Sequence, residues 1–302
     1  MTGGKVSEEI DGLVPYSLRP KHGEQGLLSK DGNYILDLAV KAWHLFLEGL
    51  PQLDLDAKSR DRKLSIKEQL IPMGNWSDNR SIYEIVADAR AGATAVEPYT
   101  ETRDRLRETY RDASNNEVID AVQRAAQGVT DWSQTPAADS DSQLTTPSPL
   151  GPIPVGTFVL AAAFQMSATW RDVAPGQRKP ELEQLGLTAL VDSTGAVAGR
   201  LDATASITAI TPELILGTGT HAGAWRTDRI DEASAGPAIV APTGLLIDFA
   251  AGNVNLIQAT RKLRVRQPRR LTAMAVVLEG IPDLPAAGLL KKAARMTSFM
   301  AR

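Results

Sequence analysis

There is no cysteine in this chain. Disulfides, thiolate catalysis and zinc sites built on sulfur are therefore excluded. Histidine is scarce too: His22, His44 and His221 are the three that occur. Long hydrophobic runs are missing. The densest apolar stretch, residues 158–164, is far too short to cross a bilayer. The first twenty residues have no basic start followed by an apolar run, so no secretory signal is expected. The Asn-x-Ser sequons at Asn75 and Asn79 then read as chance matches without a glycan. H-E-x-x-H, G-x-S-x-G and G-x-x-x-x-G-K-[ST] are all absent.

What is present is the composition of a folded protein. Apolar residues make up 43% and charged residues 23%, which argues against overall disorder. A chain of 302 residues has room for two modest domains or one large one, and for a substantial core. The charge is unevenly spread. Residues 1–132 hold 17 Lys and Arg against 22 Asp and Glu, a net of −5. Residues 133–302 hold 16 against 14, and 261–302 alone carry ten basic and two acidic side chains.

The hydrophobic pattern changes near residue 133. Residues 1–30 have Gly, Pro and scattered charge without a period, and read as an extended amino-terminal arm. The spacing predicts a strong helix over 33–48. Asp37, Lys41, His44 and Glu48 form one narrow polar stripe on it, and nearly every other position is apolar, as in a helix buried on several sides. Ser81 with Glu84, and Ser114 with Glu117, have capping-box spacing before amphipathic runs. Gly128 is the expected stop of the second. A charged helix is expected over 102–110. Residues 133–154 hold five prolines and many small polar side chains, and read as a linker or exposed loop. Beyond it, alternation predicts a strand over 157–170 and a hairpin from 187–192 to 196–210, turning at Ser193-Thr194-Gly195. Further strands are expected over 214–217, 238–241, 245–249 and 271–279, and a terminal helix over 286–300.

Few residues stand out as a site. Gly217-x-Gly219-x-x-Ala222 fits a loose dinucleotide pattern, but no helix pattern follows to supply the anion-binding amides. His44, on its polar stripe, reads as a hydrogen-bonded structural histidine. His221 has Thr218 and Thr220 close in sequence, and a metal or acid–base role there needs supporting geometry. The pairs Asp54/Asp56 and Asp139/Asp141 lack the glycine and the glutamate of a calcium loop and read as solvated turns. The segment 261–270 is different, with Arg261, Lys262, Arg264, Arg266, Arg269 and Arg270. Arginine forks suit phosphate oxygens, yet the same cations suit pairing with the acidic first half, within the chain or between copies. No aromatic accompanies them, so base stacking is not supported.

The sequence-based expectation is an α+β protein: an arm over 1–30, a helical domain over 31–132, a linker over 133–154, and a β-rich domain over 155–302. That last domain is expected to be an antiparallel β-sandwich or barrel-like structure with a carboxy-terminal helix. No catalytic residue, cofactor or metal is expected. The function expected is a structural, self-assembling protein of the coat, matrix or shell kind, in the cytoplasm or a virion. It would be a homo-oligomer, touching nucleic acid or an acidic membrane surface through the basic cluster. The alternatives are a binding module for nucleic acid or anionic lipid, and an enzyme whose active site leaves no local motif.

Overall fold

The computed structural model describes residues 13–30, 33–95, 98–234, 236–254, 261–267 and 270. Two compact units emerge. One comprises residues 31–186, and the other combines 1–30 with 187–302. The amino-terminal segment thus belongs with the later part of the chain.

The first unit is mostly helical. Helix α1 (Tyr34–Leu47) buries Ile35, Leu36, Ala39, Ala42, Trp43 and Phe46, leaving the polar stripe outside, as its periodicity predicts. Short α2 (Ile66–Leu70) and α3 (Ile82–Arg90) both begin with a complete capping box, Ser65 with Glu68 and Ser81 with Glu84. Then come α4 (Tyr99–Thr109) and α5 (Asn115–Ser133). Ser114 and Glu117 cap α5 reciprocally. The helix does not stop at Gly128, because Val129 and Trp132 continue the buried face of Val118, Val122 and Ala126. Their burial outweighs the cost of about 1 kcal/mol of an interior glycine.

Residues 133–154 are not an exposed linker. They form α6 (Ala138–Ser142) and an antiparallel pair, β1 (Thr145–Thr146) with β2 (Ile153–Pro154). Asp141, 5% exposed, accepts two hydrogen bonds from Arg90, at 3.0 and 2.7 Å. Helix α7 (Val155–Val173) occupies the segment predicted as a long strand. Its buried set includes Val159, Leu160, Ala163, Met166, Ser167 and Trp170, a three-and-four spacing. The apparent alternation arose because the helix is apolar around most of its girth, so a period of two fits by accident. Phe46 stands edge-on to both Trp43 and Trp170. Gly49 follows α1 where a Cβ would lie 2.1 Å from the Trp170 ring.

Helix α8 (Pro180–Arg200) begins in this unit and ends in the other. It runs through the predicted hairpin turn. Gly195 is a helix residue that admits the sheet, since a Cβ there would lie 2.3 Å from Thr218 Oγ1 and 2.7 Å from Trp225 Cδ1.

In the second unit the strands are β3 (Ala205–Ile210), β4 (Ile215–His221), β5 (Ala224–Arg229), β6 (Ala238–Val240) and β7 (Arg264–Arg266). They form one five-stranded sheet in the order β5-β4-β3-β6-β7. It is mixed: β3 pairs with β6 in parallel, and the other pairings are antiparallel. Among the described residues there is no second sheet packed on it and no closed barrel, which corrects the β-sandwich expectation. Helix α9 (Thr243–Ala250) replaces the strand predicted at 245–249. One sheet face carries Ala209 and Leu216, which pack with Leu187 and Val191 of α8 and Leu246 of α9. Leu18 and Val14 pack on the opposite face at Gly217 and Gly219, where a Cβ would meet Leu18 Cδ1 at 2.6 Å and Leu18 O at 2.4 Å. Ser206 is 1% exposed and donates to Leu13 O at 2.7 Å. With both faces covered, alternation no longer marks an outside. The strand predicted at 271–279 and the helix at 286–300 lie outside the described residues.

Candidate functional site

The side chains singled out in the sequence are dispersed. Arg261 and Lys262 occupy a helical turn before β7, Arg264 and Arg266 lie on β7, and all four are exposed. Arg266 pairs with Glu232 at 2.5 Å, and Arg270 donates to Gln267 at 3.2 Å. Arg269 lies outside the described residues. His22 sits in an exposed turn, and His221 ends β4, 3.1 Å from the Thr204 hydroxyl. Strand β5, not a helix, follows Gly217-x-Gly219. No group of metal-binding side chains occurs among the described residues. No helix among them is long and apolar enough to cross a membrane.

Two polar constellations belong to the helical unit. The first is a groove between α1 and α5, with a volume of about 540 Å³. Helix α1 turns its apolar girth inward, which leaves His44 at the groove edge. Helix α5 buries the face of Val118, Val122 and Val129 and offers its flank of Asp120, Gln123, Arg124 and Gln127. Leu47 and Ala126 supply the apolar lining. Gln127 donates to Asp131 at 2.6 Å, and Thr130 donates to Ala126 O at 3.0 Å. Among the described residues, the side chains of His44, Asp120, Gln123 and Arg124 have no hydrogen-bond or ion-pair partner. An imidazole, a carboxylate and a guanidinium thus line one open groove, all exposed and without a protein partner.

The second constellation is a stripe on α4, with Tyr99, Arg103 and Arg107 spaced by four. Burial pushes the Tyr99 phenol above its ordinary value, while the charges of Arg103 and Arg107 and a hydrogen bond with Gln165 of α7 pull it back. Burial, then the Arg103 charge, lowers Arg107. Arg107 donates to Glu68 O at 3.0 Å and to Gln69 Oε1 at 2.9 Å. Asp104 bonds Arg103 at 3.0 Å and lies 3.5 Å from Arg107. Arg107 ties α4 to α2, and Arg103 is engaged within α4 by Asp104 and the Tyr99 ring, so the stripe is a structural network. It escaped the sequence reading because its first member precedes the helix start expected at residue 102.

No family model matches the sequence, and no curated protein matches it. Solved structures do. The chain is similar in fold to an isomerase. The crystal structure of the mycothiol-dependent maleylpyruvate isomerase superposes with a TM-score of 0.51 at 11% identity, covering 76% of this chain and 91% of that one. A histidine-to-alanine mutant of that enzyme covers the same shares at a TM-score of 0.47. At this identity the likeness shows the fold alone. The expectation of a coat, matrix or virion shell protein is corrected here, because it rested on a β-sandwich, and the fold is a single mixed sheet with helices, like that of an isomerase.

Proposed function

We propose that this chain is an enzyme acting on a small organic anion by proton transfer, and that the α1–α5 groove is its substrate site. One observation carries the reading: His44, Asp120 and Arg124 converge on a single groove with no partners of their own. Histidine is the side chain whose ordinary value lets it give and take protons near neutral pH. A guanidinium holds a carboxylate in bidentate fashion. In this reading Arg124 anchors the anion, His44 moves the proton, and Asp120 orients the imidazole or the attached polar groups. The amides of Gln123 and Gln127 complete the polar wall. The likeness in fold to an isomerase supports an enzymatic reading.

The experiment is a titration of the purified protein with a panel of small mono- and dicarboxylates, followed by the NMR shifts of the His44 ring protons. At least one member is expected to saturate a single site. Arg124→Met should then weaken binding by roughly tenfold or more, equivalent to about 1.4 kcal/mol. His44→Gln should leave binding within a few-fold and remove turnover of any member that is converted. A wild-type protein whose His44 signals respond to none of the panel ends this reading.

A further inference from the structure

The second unit contains a carboxylate that no part of the proposed reaction uses. Asp192 of α8 is 0% exposed. Its Oδ1 accepts the Leu27 amide at 3.0 Å and the Trp225 indole N–H at 3.3 Å. Its Oδ2 has no hydrogen-bond partner. The amide belongs to the turn Gly26–Ser29, and that turn is shaped to reach this acid. Gly26 has φ +54°, and a Cβ on it would lie 2.1 Å from Trp225 Nε1 and 2.2 Å from Asp192 Oδ1. The close approach leaves no room for a side chain, and the left-handed backbone favours glycine. Two further bonds fasten the same stretch to β5. Trp225 N donates to Glu24 O at 2.9 Å, and Lys30 pairs with Asp228 at 3.2 Å.

We infer that residues 24–30 form a strap latched to this unit through Asp192, closing on the protonated side chain and loosening when the proton leaves. The physics is one of burial without compensation. Burial pushes the Asp192 carboxyl up to about 6. The donors bonded to it, the Leu27 amide and the Trp225 indole, are both neutral. No charged side chain is among the causes of that shift, although several stand on the surrounding elements. They are Arg19, Lys21, His22, Glu24 and Lys30 on the amino-terminal segment, Arg226, Asp228 and Arg229 on β5, His221 on β4, and Arg200 on α8 itself. An ionised carboxylate enclosed this way is relieved by admitting water, and the strap, a short turn outside the helix and the sheet, is the part of the enclosure that can lift to admit it. In the neutral form, the carbonyl oxygen still accepts from Leu27.

Hydrogen exchange on the full chain tests the latch. Protection of the 24–30 amides is compared with that of β4, at about pH 4.5 and about pH 7.5, after correction for intrinsic rates. If opening returns Asp192 to an ordinary carboxyl value, strap protection should fall roughly 30-fold between those conditions. At each pH it should stay below the protection of β4, and it should respond less to low denaturant, as a local opening does. Asp192→Asn should flatten the pH dependence, while His22→Gln and His221→Gln should leave it intact. Strap amides that exchange only together with β4 would overturn the inference, as would strap protection that ignores pH. A pH response abolished by either histidine change and kept in Asp192→Asn would also overturn it. Should Asp192→Asn fail to fold, the wild-type comparison and the two histidine variants still decide.

Discussion

Two arginines in the helical unit show how partners, not residue type, set a side chain's role. Arg107 is 18% exposed on its side chain and holds Glu68 O and Gln69 across to α2. Arg124 is exposed on the groove flank without a partner. Arg107→Met should therefore cost about 2 kcal/mol of stability, because acceptors tied to that guanidinium are left unpaired. Arg124→Met should change stability by less than about 0.5 kcal/mol while weakening anion binding. Urea denaturation of the two variants side by side checks the contrast, and equal losses would contradict it. Neither role was legible in the sequence. Both residues sit on the polar side of a helix, and only the bonds of Arg107 to Glu68 O and Gln69 separate the engaged cation from the open one.

Among the elements, the helix starts were the most legible part. Ser81 and Ser114, each with a glutamate three residues on, cap α3 and α5 as the spacing predicts, because capping needs only groups within one turn of chain. Ser114→Ala should cost about 1 kcal/mol, read as a lower urea midpoint with an unchanged slope. The helix interiors were legible only where one face is polar. Helix α1 kept its stripe and was readable, whereas α7 and α8 are apolar or small nearly all round and imitate strands. Gly195 is the sharpest case. Glycine suggests a turn there, yet the residue lies inside α8, where Thr218 and Trp225 leave no room for a Cβ. Gly195→Ala gains about 1 kcal/mol of helix propensity but places a methyl 2.3 Å from Thr218 Oγ1. Net destabilisation of roughly 1–3 kcal/mol is expected from overpacking, on the order usual for cores. A stabilised Gly195→Ala protein would show that this contact yields.

At the scale of the whole molecule, opposed titrations shape the stability profile. The capping residues Glu68, Glu84 and Glu117 are held below the ordinary carboxylate range, chiefly by hydrogen bonds from their partner serines. Their contribution is present above the unfolded value and is lost as pH falls through the lowered one. Asp192 works the other way. Its folded value, about 6, exceeds the ordinary 3.8. Its neutral form favours the fold fully below 3.8, and that advantage is lost as pH rises through about 6. Asp192→Asn should thus raise stability at about pH 7.5 by up to roughly 3 kcal/mol and by little near pH 4. Denaturation curves at the two pH values measure the difference, and a variant destabilised equally at both would show that the carboxylate is needed for its bonds alone.

The sequence by itself determined the helical first half, its capped helix starts, the polar stripe that leaves His44 outside, the strands β3, β4 and β6, and the absence of thiol chemistry. All of these follow from interactions within a few residues or from simple alternation. Tertiary structure decided the rest. It joined residues 13–30 to the later sheet through Leu18, Ser206 and Asp192, partners far apart in the chain. It made helices of 155–173 and 187–200, whose all-round burial erases the period that would announce them. It also brought His44 of α1 beside Asp120 and Arg124 of α5. A site assembled across two helices has no spacing in the chain to read, because the distance that matters there is the width of a groove.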